Sequence, residues 1–429
     1  MKRVLLLSLF VGLFVGLQAQ TTRYVNLDEI CGGNTPCYTT IQQAIDNTVD
    51  GDKILVSPGT YTESVVVNKA NITLQSTNGR EETIIDAGGQ DFRGIEVMGN
   101  LGIVTIDGFK VINWGPAGIV QRFANYIGTT VHVLNNHVIG QGHPVHGNCI
   151  QVTGDNSTVI GNIVDAAAYT GNNEFNASGI LVYLANNAVV QNNQIVNCEI
   201  GIGVAGGGAW GYPAVTNVTV KGNIISNGEA GIQVSFDATN TTITENAVST
   251  CDYGLQELFM WNYGPSNTTA TYNNFANNTV GAAITKDEQT PIPVNHTLDA
   301  SNNYWGSSSI DDISAMMEGS ITFTPYLVID EEGEDMAWDG DNKYKSVDIQ
   351  TGIVDLSHNN AFGIHYINNE IILIGGDEYT ITAIYTLQGV KLFETSATTI
   401  STQKLAKGIY YIYTISNVTK KTVSLKLLV

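Results

Sequence analysis

Between residues 100 and 300 the apolar positions recur as a unit of three short runs, and one asparagine marks each unit. Aligned on Asn136, Asn162, Asn193, Asn223, Asn246 and Asn273, the units step by 26, 31, 30, 23 and 27 residues. Three residues before each asparagine stand Val133, Val159, Val190, Val220, Ile243 and Ala270; two after it stand Val138, Val164, Ile195, Ile225, Val248 and Phe275. A third run follows, opened by glycine or another small residue: CIQV at 149–152, GILV at 179–182, GIGV at 201–204, GIQV at 231–234, GLQE at 254–257 and GAAI at 281–284. An earlier unit fits with Phe109 in the asparagine's place, Val111 two residues on and GIVQ at 118–121. Each run alternates at period two between Gly, Asn and Asp turns, which predicts three β-strands per unit. The steps are too short and β-branched for paired helices, and too variable for propeller blades. Stacking one coil per step puts Val on Val and Ile on Ile and buries a core that no single coil possesses. It also stacks the asparagines, so that each amide donates and accepts along its column. The expected fold is all-β, a parallel β-helix.

The two ends of the chain follow other patterns. Lys2 and Arg3 precede an apolar run at 4–17 and then Gln18-Ala19-Gln20, the order of a secretory signal over residues 1–19. Fourteen apolar residues fall short of the ~20 that a membrane span needs. Residues 331–350 are acidic and poor in apolar side chains, as a linker is. Beyond them, 379–393, 405–416 and 420–429 alternate as strands of a small β-sandwich occupying 351–429. Charge narrows the partners. The chain carries 19 Lys+Arg against 40 Asp+Glu, a net −21, and Lys221 is the only base between Arg122 and Lys286. Such a surface excludes nucleic acid and anionic lipid, and repels polyanionic glycans unless a cation intervenes. No cofactor is called for by the residues, and Ca2+ is the one left open. Cys31 and Cys37 close the short loop CGGNTPC, where export permits a disulfide. Cys198 and Cys251 each lie five residues after their asparagine, but Asn223 intervenes. Two coils at ~4.8 Å place them roughly 9–10 Å apart, beyond bridging range, so they read as core thiols.

Residues 39–76 (TTIQQAIDNTVDGDKILVSPGTYTESVVVNKANITLQS) resemble the opening of pectin lyase-like right-handed β-helix proteins. NNYWG at 302–306 and FTPYL at 323–327 resemble the closing turns of its repeat-containing members. The resemblance covers about 40–330 and implies a right-handed helix over 21–330 with a short capping helix at its start. Physically, Thr40 and Gln43 form a capping box for that helix, and Ile41, Ala44 and Ile45 share one face. Function is not implied by the fold, since this superfamily holds lyases, hydrolases, epimerases, phage spikes and adhesins. The segment 360–429, with YTITAIYTLQGVKLF, LAKGIYYIYTIS and KKTVSLKLLV, resembles the C-terminal sorting domain of the type IX secretion system. That resemblance implies passage across the outer membrane of a Gram-negative bacterium, the secretion machinery as a partner, and a secreted or surface-attached protein; a monomer is expected.

Candidate chemistry gathers around the third strand of each coil. Insertions precede it at 140–147 and 166–178 and follow it at 121–128, 206–213 and 259–266, so adjacent coils line them up as rims of one groove. Loops clustered on one face of a solenoid often mark its binding face. The predicted floor is Gln151, Leu181, Tyr183, Gly203, Gln233, Ser235 and Gln256; the rims carry Phe123, Tyr126, Trp210, Tyr212, Phe259, Trp261 and Tyr263. Aromatic planes beside amides suit sugar rings; the alternative is that these aromatics pack over their own loops. Catalytic candidates are Arg122, to stabilise an enolate or pair with an acid, His146 as acid or base, Tyr183 as proton donor or platform, and Glu257. Glu257 falls in the inward column of Val152, Val182, Val204 and Val234, so either the strand bulges to turn it out or a desolvated carboxyl sits there with a raised pKa. Glu174 reads as a solvated loop acid. His143 and His146 lack a third ligand for zinc. No close acid pair on successive coils, arginine-lined groove or acidic calcium nest is evident. The Asn-x-Ser/Thr sequons, Asn71 and Asn156 among them, read as turn composition, and the threonine pairs at 242/244 and 269/271 make too short an array for ice. The function expected is binding or degradation of a neutral or weakly acidic polysaccharide, by lyase or hydrolase chemistry in the second case. The competing reading is a non-catalytic adhesin or structural rod.

Overall fold

The computed structural model describes residues 20–122, 128–144, 146–171 and 177–329, together with strands lying between 344 and 428. The expected leader at 1–19, Phe123, Tyr126, Glu174 and most of the expected linker at 331–350 lie outside the described residues. The chain divides into Met1–Ser346 and Val347–Val429.

The first unit is a parallel β-solenoid of about 11 turns. One face is a 13-stranded parallel sheet; the other two form a single 16-stranded sheet, because Ile224–Ser235 and Ala247–Phe259 run through the corner between them unbroken. The register is the one the asparagine alignment predicts. Val133, Val159, Val190, Val220, Ile243 and Ala270 pair in succession on the first face. Val111, Val138, Val164, Ile195, Ile225 and Val248 do so on the second.

The asparagine column is a continuous buried ladder, and Asn303 extends it by one coil. Asn162 Nδ2 donates to Asn193 Oδ1 at 2.9 Å, Asn193 to Asn223, Asn223 to Asn246 and Asn246 to Asn273, each at 2.9 Å. The same nitrogens reach back to a first-face carbonyl one coil earlier, as Asn193 does to Val159 at 2.9 Å. Each Oδ1 also accepts the backbone N–H of the preceding asparagine. Every hydrogen-bonding group of these amides is used, which is what burial requires.

The glycines that open the third strands have a steric cause. A Cβ on Gly201 would stand 2.4 Å from Ile225 Cγ2, and one on Gly231 2.1 Å from Val248 Cγ1. The corner folds the third strand against the second-face core so tightly that no side chain fits. The sequons have a different cause. Asn71, Asn156, Asn217, Asn240 and Asn267 all take left-handed backbone at the turn into the first face, a conformation asparagine tolerates. The next residue is buried, and the Ser/Thr register starts the strand. Asn187, Asn217, Asn240 and Asn267 each donate one coil back, at 3.1–3.3 Å.

Helix Ile41–Asp46 begins at Thr40, whose side chain accepts from Gln43 N, and buries Ile41, Ala44 and Ile45. Gln42 meets the edge of strand Val65–Val67, accepting from Val66 N at 2.8 Å and donating to Val66 O at 3.2 Å. Cys31 and Cys37 form a disulfide, while Cys149, Cys198 and Cys251 are buried free thiols. No helix among the described residues is long and apolar enough to cross a membrane.

The second unit holds two antiparallel sheets. Gly363–Ile367, Glu370–Ile374 and Thr399–Ser401 make one. Lys391–Thr395, Thr380–Thr386, Ile409–Ser416 and Thr422–Leu428 make the other, in that order. Ile384 and Ile412 are fully buried there.

Candidate functional site

On the third face, register alone sets the outward column: Glu96, Val120, Gln151, Leu181, Gly203, Gln233 and Gln256 follow one another coil by coil. Period-two alternation makes the flanking residues Val97, Gln121, Val152, Val182, Val204, Val234 and Glu257 the inward column. The candidate residues separate along this face into a charged end and an aromatic end.

At the charged end Arg93, Pro116, Ala117, Val120, Arg122, His146 and Gln151 line a pocket of about 150 Å3. Three of the sequence-predicted residues, Arg122, His146 and Gln151, therefore meet. The sequence reading missed Arg93 and Glu96. Glu96 is buried at 8% exposure, and its Oε1 lies 3.3 Å from Arg122 Nε and 3.7 Å from Arg93 Nη1. That oxygen is buried without a well-aligned hydrogen bond. Asn148 Nδ2 donates to Gln151 Oε1 at 3.2 Å. Desolvation of the His146 ring, then Arg93 and His143, hold its pKa below the ordinary histidine value, so it is a neutral imidazole at pH 7.

At the aromatic end the turn Gly208–Trp210 lifts Trp210 beside Phe236 and Trp261, with ring centroids 5.0 and 5.2 Å away. Phe236 is buried beneath, whereas Trp210 and Trp261 are 44% and 37% exposed. Tyr183 meets Trp210 edge-on at 6.0 Å. Burial, then Tyr212 and Asp237, push the Tyr183 pKa up to about 12, so it stays protonated and can donate but not abstract a proton. A Cβ on Gly208 would stand 2.5 Å from the Tyr263 ring, so Tyr263 packs beneath this turn. Along the floor Gln233 Nε2 donates to Gln256 Oε1 at 2.7 Å and Gln256 Nε2 to Thr285 Oγ1 at 3.0 Å. Trp261 N is held by Asp287 Oδ2 at 2.7 Å and Asn262 N by Thr290 Oγ1 at 2.8 Å, which fixes the loop carrying the second indole.

Phe259 and Gln121, expected in the rim loops, lie in strands, and Glu257 takes the inward of the two placements open to it. Glu257 is not a groove residue: the strand does not bulge, and its carboxylate lies on the inward side, 1% exposed, with Oε2 2.6 Å from His296 Nε2. Phe259, two residues on, shares that side by alternation; it is 3% exposed and packs edge-on against His296 at 4.8 Å. Gln121 is inward as well, and its amide is used by Thr129 O, Thr153 N and Gly154 N. Among the described residues no three His, Cys, Asp or Glu side chains converge as a metal site.

Residues 93–311 match the protein family described as the right handed beta helix region. A stretch of 96 residues, 22% of this chain, is 42% identical to a cell surface glycoprotein of Methanothermus fervidus, and covers 15% of that protein's length. Solved structures resemble this chain at low identity. A family 28 exopolygalacturonase of Yersinia enterocolitica is 16% identical over 71% of this chain and 65% of its own, with a TM-score of 0.36. The catalytic unit of an α-1,3-glucanase from Streptomyces thermodiastaticus is 16% identical over 70% and 67%, with a TM-score of 0.39. XylC in complex with xylose is 10% identical over 95% and 100%, with a TM-score of 0.45.

Proposed function

This chain belongs to the right-handed β-helix family, and from that premise we propose that it is an exported surface protein whose third face binds a polysaccharide. The observation that carries the reading is the pair of exposed indoles, Trp210 and Trp261, mounted on buried Phe236 beside the Gln233–Gln256–Thr285 ladder. A sugar ring offers a C–H face to such a plane and hydroxyls to such amides, the usual composition of a ligand site. Export is supported by the leader pattern at 1–19 and by the disulfide.

Trp210→Ala and Trp261→Ala are each expected to lower polysaccharide affinity about tenfold, corresponding to on the order of 1–2 kcal/mol per stacked face. The thermal midpoint should stay close to that of the parent, because both indoles stand outside the core columns. A lowered midpoint with unchanged glycan binding would show that they only cover their own loops, and would leave the rod or adhesin reading in place.

A second reading, cleavage of the bound chain, is favoured by the convergence of Arg93, Arg122 and neutral His146 on adjacent coils. An imidazole of lowered pKa is a competent base at pH 7, and guanidiniums stabilise a developing enolate. Release of unsaturated or reducing ends that His146→Gln abolishes, with binding retained, distinguishes enzyme from binder.

The same proposal reads residues 347–429 as the sorting domain of the type IX system, on its two antiparallel sheets and its lysine-bearing final strand. A chain lacking 347–429 is expected to fold its solenoid and accumulate in the periplasm. Normal delivery of that truncated chain to the surface would remove the sorting assignment.

A further inference from the structure

We infer that the polysaccharide is a mostly neutral chain bearing isolated carboxylates, one of which docks between Arg93 and Arg122. The inference rests on the groove reading above and adds the charge pattern of the ligand. Four arginines lie within residues 20–329. Arg23 is bound to Asp52 at 2.7 Å, and Arg80 Nη1 donates to Gly161 O at 2.8 Å. The remaining two both line the pocket and share a single buried carboxylate oxygen of Glu96. Two guanidiniums against one carboxylate leave one positive charge facing a pocket of about 150 Å3 in a chain of net charge −21. Gln151 adds an amide to the lining, and Pro116, Ala117 and Val120 add apolar surface. Guanidiniums held in this way offer paired N–H donors matched to a planar carboxylate.

The surplus is one charge, and that sets the ligand. Residues 21–330 carry 28 acids and 9 bases, so a chain acidic at every sugar is repelled along the rest of the groove. Gln151 and Gln256 are four pairing steps apart, about 19 Å at ~4.8 Å per step. Between them Leu181, Gly203 and Gln233 offer no charge. One acidic sugar at the pocket and neutral sugars from there to the indoles match this layout.

The test is a panel of immobilised oligosaccharides in which each backbone is present as neutral, singly carboxylated and fully carboxylated chains. The singly carboxylated member should bind tightest and weaken as salt screens the pocket. Arg93→Ala and Arg122→Ala should each lower its affinity about tenfold or more, as loss of a charge-assisted contact does, and lower that of the neutral member far less. Glu96→Gln should raise its affinity by releasing both guanidiniums. Equal binding of neutral and singly charged chains, tightest binding of the fully charged chain, or arginine variants that weaken both alike would overturn the inference while the groove reading stands. Binding of no member at all would overturn the groove reading and this inference with it.

Discussion

Asn193→Leu is expected to lower the stability of the solenoid by about 3 kcal/mol or more, although leucine adds apolar surface to a buried site. Asn193 makes four ladder contacts. Its Oδ1 accepts Asn162 N and Asn162 Nδ2, each at 2.9 Å, and its Nδ2 donates to Val159 O and Asn223 Oδ1, each at 2.9 Å. Removing the amide leaves Asn162 N and one Asn162 amide hydrogen buried without partners, while Val159 O keeps the strand pairing with its neighbour on the next coil. Each such group costs about 1–3 kcal/mol, and both lie in an interior that water does not reach. Because each coil touches only its neighbours, the damage should be local. Hydrogen exchange should therefore quicken in the coils holding Asn162, Asn193 and Asn223 and stay slow in the coil of Asn303. An unfolding midpoint unchanged by Asn193→Leu would mean that the ladder contributes register and no stability.

How far the sequence could be read follows from what each pattern encodes. The asparagine column was legible because a buried amide in a stack must recur once per coil, and a repeat of 23–31 residues exposes it. Asn303 fits the same step, 30 residues after Asn273, yet the NNYWG context had suggested a closing turn. The charged end of the groove was missed for a related reason. The coil of Phe109 has no asparagine, so the asparagine column carries no marker for the coil before it, where Gly94-Ile95-Glu96-Val97 corresponds to Gly231-Ile232-Gln233-Val234. The two share the Gly-Ile-x-Val pattern, which places Glu96 in the outward column and would have pointed to its arginine partners. Alternation assigned Glu257 to the inner column correctly but left open whether the strand would bulge. The deciding contact comes from His296, 39 residues away and outside the repeat. Phe259 was misassigned by giving it to the loop, when the strand runs through that residue.

The glycine column makes the second large effect predictable. Gly231→Ala is expected to cost about 1–3 kcal/mol, the range for overpacking a filled core, with the upper end favoured by geometry. The new Cβ would stand 2.1 Å from Val248 Cγ1 and 2.9 Å from Gly254 O. The carbonyl belongs to the next strand of the parallel sheet and cannot retreat without breaking its pairing, so the valine has to move. Val248 is 1% exposed in the second-face column, and Val248→Ala alone should cost on the order of 2 kcal/mol through the cavity it leaves. In the double variant the alanine at 231 fills part of the space vacated at 248. The two losses should then fall short of their sum by about 1 kcal/mol or more, the coupling expected of side chains in direct contact. Denaturant midpoints of the parent, both single variants and the double variant measure that coupling. Strict additivity would mean that the third strand shifts outward to accept a side chain, and that the recurrence of glycine at this corner has a cause other than steric contact with the second face.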